Sequence, residues 1–168
     1  LALEALRPDL SIVWCPCDAQ YGVRVLEAVR GGGVRTRVRA AGETPQRFLA
    51  RPGGGLFDAV LVAPPRATTL EGAAWRQDAF AQRVRSVTRR TGVAVFGLDC
   101  ESVALTPEKC ALLEAGVRAV RRVWPESGVF AAGAGGWWVA AQVPKLAYAP
   151  ADAAARFALL KNAAYPPE

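Results

Sequence analysis

Phe57-Asp58-Ala59-Val60-Leu61-Val62-Ala63 is the stretch of sequence that decides the fold. Apart from Asp58 its side chains are apolar without a break, which is typical of a parallel strand covered on both faces of its sheet. Pro64 and Pro65 end the run, because proline has no amide hydrogen for a strand ladder. A second apolar run, at 93–98, follows an amphipathic segment. The two runs predict central parallel strands connected by a helix.

Outward from these strands the sequence alternates strand and helix patterns with short loops, which predicts a doubly wound α/β domain. Thr106 and Pro107 mark a helix start, as a capping hydroxyl followed by proline in the first turn. The sheet is predicted to be mostly parallel, with a C-terminal antiparallel hairpin. Strands are predicted at 11–15, 34–40, 57–63, 93–98, 128–132 and 137–142. Helices are predicted at 21–30, 45–51, 74–91 and 106–124, and one more at 150–161 in an Ala- and Pro-rich tail at 143–168.

The composition indicates one domain that is soluble or at most peripheral, with no membrane span. The chain has 168 residues, 52% of them hydrophobic, and no apolar run reaches the length of about 18 residues that a span requires. The absence of methionine, even at position 1, indicates a processed product or a fragment. No histidine is present, which removes the commonest general base and metal ligand. The four cysteines are interpreted as buried reduced thiols of a reducing compartment, and no metal site is expected.

The charge balance permits an acidic or nucleic-acid partner. Lys and Arg number 21 against 15 acidic residues, a net charge of +6. The basic residues are spread along the chain, and two helix-spaced clusters favour solvated helix faces over an RNA-binding surface. These clusters are Arg83, Arg85, Arg89, Arg90 and Arg118, Arg121, Arg122.

Four β/α units followed by a hairpin resemble the class I methyltransferase superfamily, and residues 11–142 are similar to its aminopropyltransferases, the spermidine and spermine synthases. Phe57–Val62 resembles the family strand "FDVIIxD". Gly97-Leu98-Asp99-Cys100 and Trp124-Pro125 follow at matching spacing. The resemblance implies a degenerate domain of Rossmann-like class I methyltransferase fold at 1–142. The family's first strand and its "GGGDGG" loop have no counterpart, because Leu1 resembles the start of the helix after that loop.

The resemblance also implies a cofactor site that this sequence retains only in part. Pro16 stands where the family's "EID" segment has the glutamate that binds ribose, and Asp18 matches the later acid. Glu43 is the nearest match to the aspartate of "GDG", which the family places beside the adenine amine. Asp18 and Glu43 are therefore vestigial cofactor-binding candidates, and no bound cofactor is expected.

The family's catalytic "DSSDP" segment corresponds to Val62-Ala63-Pro64-Pro65-Arg66. Ala63 replaces the aspartate that takes a proton from the attacking amine, and an amine must lose that proton to act as a nucleophile. Arg66 replaces a second acid and would repel a cationic polyamine. The family's "PTYPSG" substrate segment is reduced to residues 133–136. The sequence thus predicts a pseudoenzyme with no catalytic residue.

Three functions remain open on this sequence. The first is a non-catalytic subunit bound to other proteins in a larger assembly, with the mitochondrial matrix, or otherwise the cytoplasm, as the expected location. The second is an aminopropyltransferase or methyltransferase that requires a further segment. The third is an RNA-binding module that uses the arginine clusters, although no aromatic platform supports it. Because the slot of the family's first strand lies beside 11–15 and 57–63, we also expect an edge that other residues or another polypeptide must cover.

Overall fold

The structure is a computed structural model that describes residues 11–31, 37–51, 56–64, 73–98, 106–132 and 136–142. The chain divides into two compact units, residues 1–51 with 148–168 and residues 52–147. Within the described residues, no helix is long and apolar enough to cross a membrane. The helix predicted at 150–161, the loop at 133–135 and Arg66 lie outside the described residues.

The first unit is built on two parallel strands and a helix. Strand β1 (Ser11–Trp14) pairs with β2 (Arg37–Ala40), and Ser11 lies opposite Arg37. Helix α1 (Ala19–Gly31) connects them, and a short helix α2 (Pro45–Ala50) follows β2. These elements confirm the β/α order that the sequence predicts.

Helix α1 presents a different face to its core than the apolar spacing suggests. Val23 is 54% exposed, whereas Gly22 and Leu26, four residues apart, are buried. The apolar spacing of the sequence places Val23 and Leu26 on one face of the helix, but of the two only Leu26 lies inward. A Cβ at Gly22 would lie 2.6 Å from Cγ of Pro16. The helix therefore packs against Pro16 with the face that carries Gly22, because only glycine allows this close approach.

The second unit contains a four-stranded sheet in the order β3-β4-β6-β5. Strands β3 (Phe57–Val62) and β4 (Thr88–Gly97) are parallel, which confirms the parallel pairing that the sequence predicts. Strand β6 (Gly136–Gln142) is antiparallel to β4 and also to β5 (Gly128–Ala132), which confirms the C-terminal hairpin. The sheet is thus parallel on one side and antiparallel on the other.

Two helices supply the core of the second unit. Helix α3 (Asp78–Val87) buries Phe80, Val84 and Val87, as its periodicity predicts. Helix α4 (Pro107–Val123) leads to Trp124, whose ring is 2% exposed and meets Phe96 edge-on at 5.8 Å. Along β4, Ala94 and Phe96 are buried while Val93 and Val95 are half-buried. One face of the sheet is therefore more deeply covered than the other.

Helix α4 begins where the sequence predicts. The Thr106 hydroxyl accepts a hydrogen bond from the Lys109 amide at 3.4 Å, which caps the first turn. A side-chain hydrogen bond with Thr106, assisted by backbone hydrogen bonding, lowers the pKa of Glu108. The negative carboxylate near the positive end of the helix is the arrangement that the helix dipole favours.

The helix predicted at 74–91 is wrong at its C-terminal end, because α3 stops at Val87 and β4 begins at Thr88. The Thr88 hydroxyl donates to the Val84 carbonyl at 2.7 Å and the residue lies opposite Phe57 in the sheet. Gly92 is not a helix terminus but a buried strand residue. A Cβ there would lie 2.9 Å from the carbonyl oxygens of both Phe57 and Asp58, at an irregularity in the strand register.

Strand β3 is less covered than its apolar sequence predicts. Val62 is 6% exposed, but Leu61 is 70% exposed and Leu56, just before the strand, is 57% exposed. Among the described residues β3 pairs with β4 alone, so it is the outermost strand of its sheet. The strand combines the composition of a central strand with the exposure of an edge strand.

Candidate functional site

Two sequence-predicted site segments meet at one edge of the first unit. Residues 15–18 follow β1 and Glu43 follows β2, and the carboxyl ends of parallel strands lie at the same edge of a sheet. The Cys15 thiol donates a hydrogen bond to the Glu43 backbone carbonyl at 3.5 Å. The structure therefore brings together the two segments that the sequence assigns to a vestigial cofactor site.

Asp18 has a structural role at this edge. Its Oδ1 atom accepts hydrogen bonds from the backbone amides of Gln20 at 2.8 Å and Tyr21 at 3.3 Å. These are amides of the first turn of α1, so the carboxylate caps the helix. The side chain is exposed, and its contacts account for an acid here without any ligand.

Glu43 is held by a cation of the same unit. Its Oε1 atom lies 3.1 Å from Nη2 of Arg51, and its side chain is only 17% exposed. A ligand hydroxyl or amine would have to compete with this guanidinium for the carboxylate. The charge of Glu43 is therefore compensated within the protein.

Pro16, which the sequence resemblance aligns with a ribose-binding glutamate, lies in an apolar packing contact. The residue is buried, and its Cγ atom lies 2.6 Å from the point that a Cβ of Gly22 would occupy. A buried carboxylate here would need hydrogen-bond partners to offset its desolvation. Pro16 therefore contributes a packing contact to this edge and no polar group.

Cys17 is exposed and Cys15 and Cys110 are half-buried, so the interpretation of the cysteines as buried thiols is wrong for these three. Cys15 is not poised for chemistry. Burial, and then the negative charges of Glu43 and of an ionised Cys17, raise the pKa of the Cys15 thiol to about 11. The neutral thiol is a poor nucleophile and a poor metal ligand. Within the described residues no three Cys, Asp or Glu side chains converge into a metal site.

The segment that the sequence resemblance aligns with the catalytic residues follows β3, at the carboxyl ends of β3 and β4. Ala63 is exposed and Pro64 is half-buried directly after β3. A cavity of about 20 Å³ lies beside them, bounded among others by Trp75, Arg76 and Phe96. This volume holds one water molecule at most. No carboxylate lines it among the described residues; Arg66, Asp99 and Glu101 lie outside them.

Three of the clustered arginines interact within the second unit. Arg85 lies 6.0 Å from the Trp124 ring and donates to the Thr88 carbonyl at 3.1 Å. Arg89 pairs with Asp58 at 2.9 Å, and Arg122 pairs with Asp78 of α3. The other members of the two clusters are exposed: Arg83, Arg90, Arg118 and Arg121. The prediction of simple solvated faces is therefore incomplete.

No family model matches the chain, and no curated protein sequence matches it either. Solved structures do. Human methyltransferase-like protein 13 in complex with SAH is 16% identical with a TM-score of 0.65, over 94% of this chain and 72% of that one. A spermidine synthase in complex with the transition-state analogue AdoDATO is 14% identical with a TM-score of 0.60, over 78% of this chain and 46% of that one. The 16S rRNA (adenine(1408)-N(1))-methyltransferase of Catenulisporales acidiphilia is 14% identical with a TM-score of 0.55, over 84% and 77%.

These likenesses confirm the fold class. The chain has the Rossmann-like fold of class I methyltransferases, with spermidine synthases among its structural neighbours. It spans less than half of the spermidine synthase chain to which it is similar. At these identities the likeness concerns the fold alone, and the function has to be argued from the site.

Proposed function

We propose that this chain is a non-catalytic, degenerate aminopropyltransferase-like domain that serves as a subunit of a larger protein assembly. Strand β3 carries the proposal. It has the apolar sequence of a strand covered on both faces, yet Leu61 is 70% exposed, and it is followed by Ala63 and Pro64 where a transferase of this kind needs an acid.

The absence of catalysis is supported by the chemistry of aminopropyl transfer. A protonated amine has no lone pair for attack, so a carboxylate positioned beside it is required. The methyl group of Ala63 can neither accept that proton nor hold a cation. Asp18 and Glu43, the two acids at the other strand ends, are engaged in a helix cap and an ion pair.

A role in an assembly is supported by the exposed apolar surface of β3. Ala59 and Leu61 are both exposed and lie two residues apart in the strand, so they share one face of the sheet. Leu56, just before the strand, is exposed as well. Exposed apolar residues that lie together commonly mark a surface that a partner covers. Cys15, Cys17 and Cys110 form no disulfide, which suits the reducing compartment, such as the mitochondrial matrix, that we propose for it.

Isothermal titration calorimetry tests the catalytic half of the proposal. We expect no heat of binding with decarboxylated S-adenosylmethionine or with its thioether product. Human methyltransferase-like protein 13, titrated with SAH, is the positive control for the measurement. A micromolar dissociation constant for either compound would overturn the pseudoenzyme proposal, since it would show that Asp18 and Glu43 suffice.

The second candidate function is an S-adenosylmethionine-dependent methyltransferase. One observation favours it: the likeness to a methyltransferase with bound SAH extends over 94% of this chain. Methyl transfer does not require the acid that Ala63 replaces. Binding of S-adenosylmethionine and SAH, without binding of the decarboxylated compound, would select this candidate over the first.

A further inference from the structure

Helix α4 and strand β5 enclose a groove of about 630 Å³ that the site described above does not use. Leu98, Leu113 and Val129 give it apolar walls, and the side chain of Val129 is 39% exposed. The volume lies in the range of roughly 300–1,000 Å³ that is usual for ligand-binding clefts. The groove is therefore large enough to take several side chains of another molecule.

The rim of the groove is positively charged. Arg118, Arg121 and Arg122 project from neighbouring turns of α4, with Glu114 as the acid at the rim. Arg122 is paired with Asp78, but neither Arg118 nor Arg121 forms an ion pair with a described residue. Two exposed guanidinium groups thus border an apolar surface, and their planar donors match the geometry of carboxylates.

Strand β5, next to the groove, has one edge that pairs with no described strand. In the part of the sheet that the structure describes, β5 is the outermost strand and pairs only with β6. An outermost strand offers amide and carbonyl groups to an incoming chain. The groove thus combines apolar walls, cationic groups and backbone hydrogen-bonding groups, which are the features that recognise a peptide.

We propose that this groove binds a segment of a protein partner in which acidic residues flank one or more apolar side chains. The apolar side chain enters between α4 and β5, and carboxylates pair with Arg118 and Arg121. RNA is disfavoured because aliphatic side chains, not aromatic rings, form the walls, and bases bind proteins by stacking on rings. The inference rests on the proposed function as an assembly subunit and names the chemistry of one partner.

Selection of random peptides displayed on phage, with the whole 168-residue chain as bait, tests this inference. We expect the selected peptides to be enriched in Asp and Glu next to Leu, Ile or Phe. A labelled peptide of the selected sequence is then titrated by fluorescence polarisation. The double variant Arg118→Glu, Arg121→Glu should weaken its binding by about tenfold or more, since reversed charges repel the carboxylates.

The double variant Arg83→Glu, Arg90→Glu is the matched control, because it changes two exposed arginines outside the groove and gives the same net charge. It should leave the affinity within about twofold. Equal loss in both variants would overturn the inference, because attraction would then depend only on net charge. Enrichment of basic peptides, no enrichment, or tighter groove-dependent binding of single-stranded RNA would overturn it as well.

The calorimetric test of the proposed function is independent of this selection. If the peptide selection fails and no S-adenosyl compound binds, the inference about the groove is overturned and the proposed non-catalytic role stands. If an S-adenosyl compound binds and a peptide binds in the groove, the proposed non-catalytic role is overturned and the inference about the groove stands.

Discussion

Replacement of Leu61 by lysine tests whether the exposed side of β3 is an interface. Full burial of a leucine side chain contributes about 1.5–3 kcal/mol, and 70% of Leu61 is available to a partner. Its burial should therefore stabilise an association by about 1–2 kcal/mol, which corresponds to roughly five- to thirtyfold in the dissociation constant. The free energy of unfolding of the isolated domain should change little, because substitutions at exposed positions change it by about 0.5 kcal/mol or less.

Sedimentation velocity of the isolated chain measures the association. We expect the wild-type chain to associate with increasing concentration and the Leu61→Lys variant to shift towards monomer with an unchanged melting temperature. Leu112→Lys is the control, because Leu112 is an exposed leucine of α4, at 44%. A soluble wild-type monomer with slow amide exchange in both β1 and β3 would refute the reasoning. Equal shifts in the two lysine variants would refute it too.

Three further predictions concern packing and reactivity. Gly92→Ala should lower the free energy of unfolding by about 1–3 kcal/mol in urea, because the new Cβ would meet two backbone carbonyls of β3. Gly128→Ala is the control and should be near neutral, because a Cβ at Gly128 has open space. Equal effects of the two substitutions would contradict the close approach at Gly92. Iodoacetamide at pH 8 should alkylate the exposed Cys17 before Cys15, because the raised pKa of Cys15 keeps its thiol protonated until the pH nears about 11. Mass spectrometry that shows the reverse order of alkylation would contradict this prediction. Trp124→Ala should cost about 3–5 kcal/mol in the same unfolding assay, and a loss below about 1 kcal/mol would contradict its place in the core.

The sequence predicts the fold well where periodicity and chain breaks agree. The run at 57–63, ended by two prolines, identifies β3, and Thr106 with Pro107 identifies the start of α4. The helix predicted at 74–91 runs up to Gly92 because glycine commonly lies just after a helix. A strand glycine that allows a close backbone approach gives the same sequence signal. Only the pairing of Phe57 with Thr88 distinguishes the two interpretations, and that contact is tertiary.

The candidate site could be predicted only as a set of positions. Asp18 and Glu43 follow β1 and β2 as expected, but the helix cap and the ion pair that engage them are contacts of the folded chain. The groove between α4 and β5 could not be predicted from the sequence. Its arginines form a visible cluster, but Leu98 and Val129 come from segments on either side of α4, and no sequence pattern indicates that they meet there.

Pro16 and Gly22 together form a packing contact that a polar side chain would disrupt. If Pro16 faced an open cleft, its surroundings would accept the larger, polar side chain of a glutamate. Instead the ring is buried, and the helix opposite it has a glycine where any Cβ would fall within 2.6 Å of Cγ. A glutamate at position 16 would bury a carboxylate in this packing contact, at a cost of at least several kcal/mol unless it took up a proton. An acid at this position would therefore need compensating changes in the residues around it.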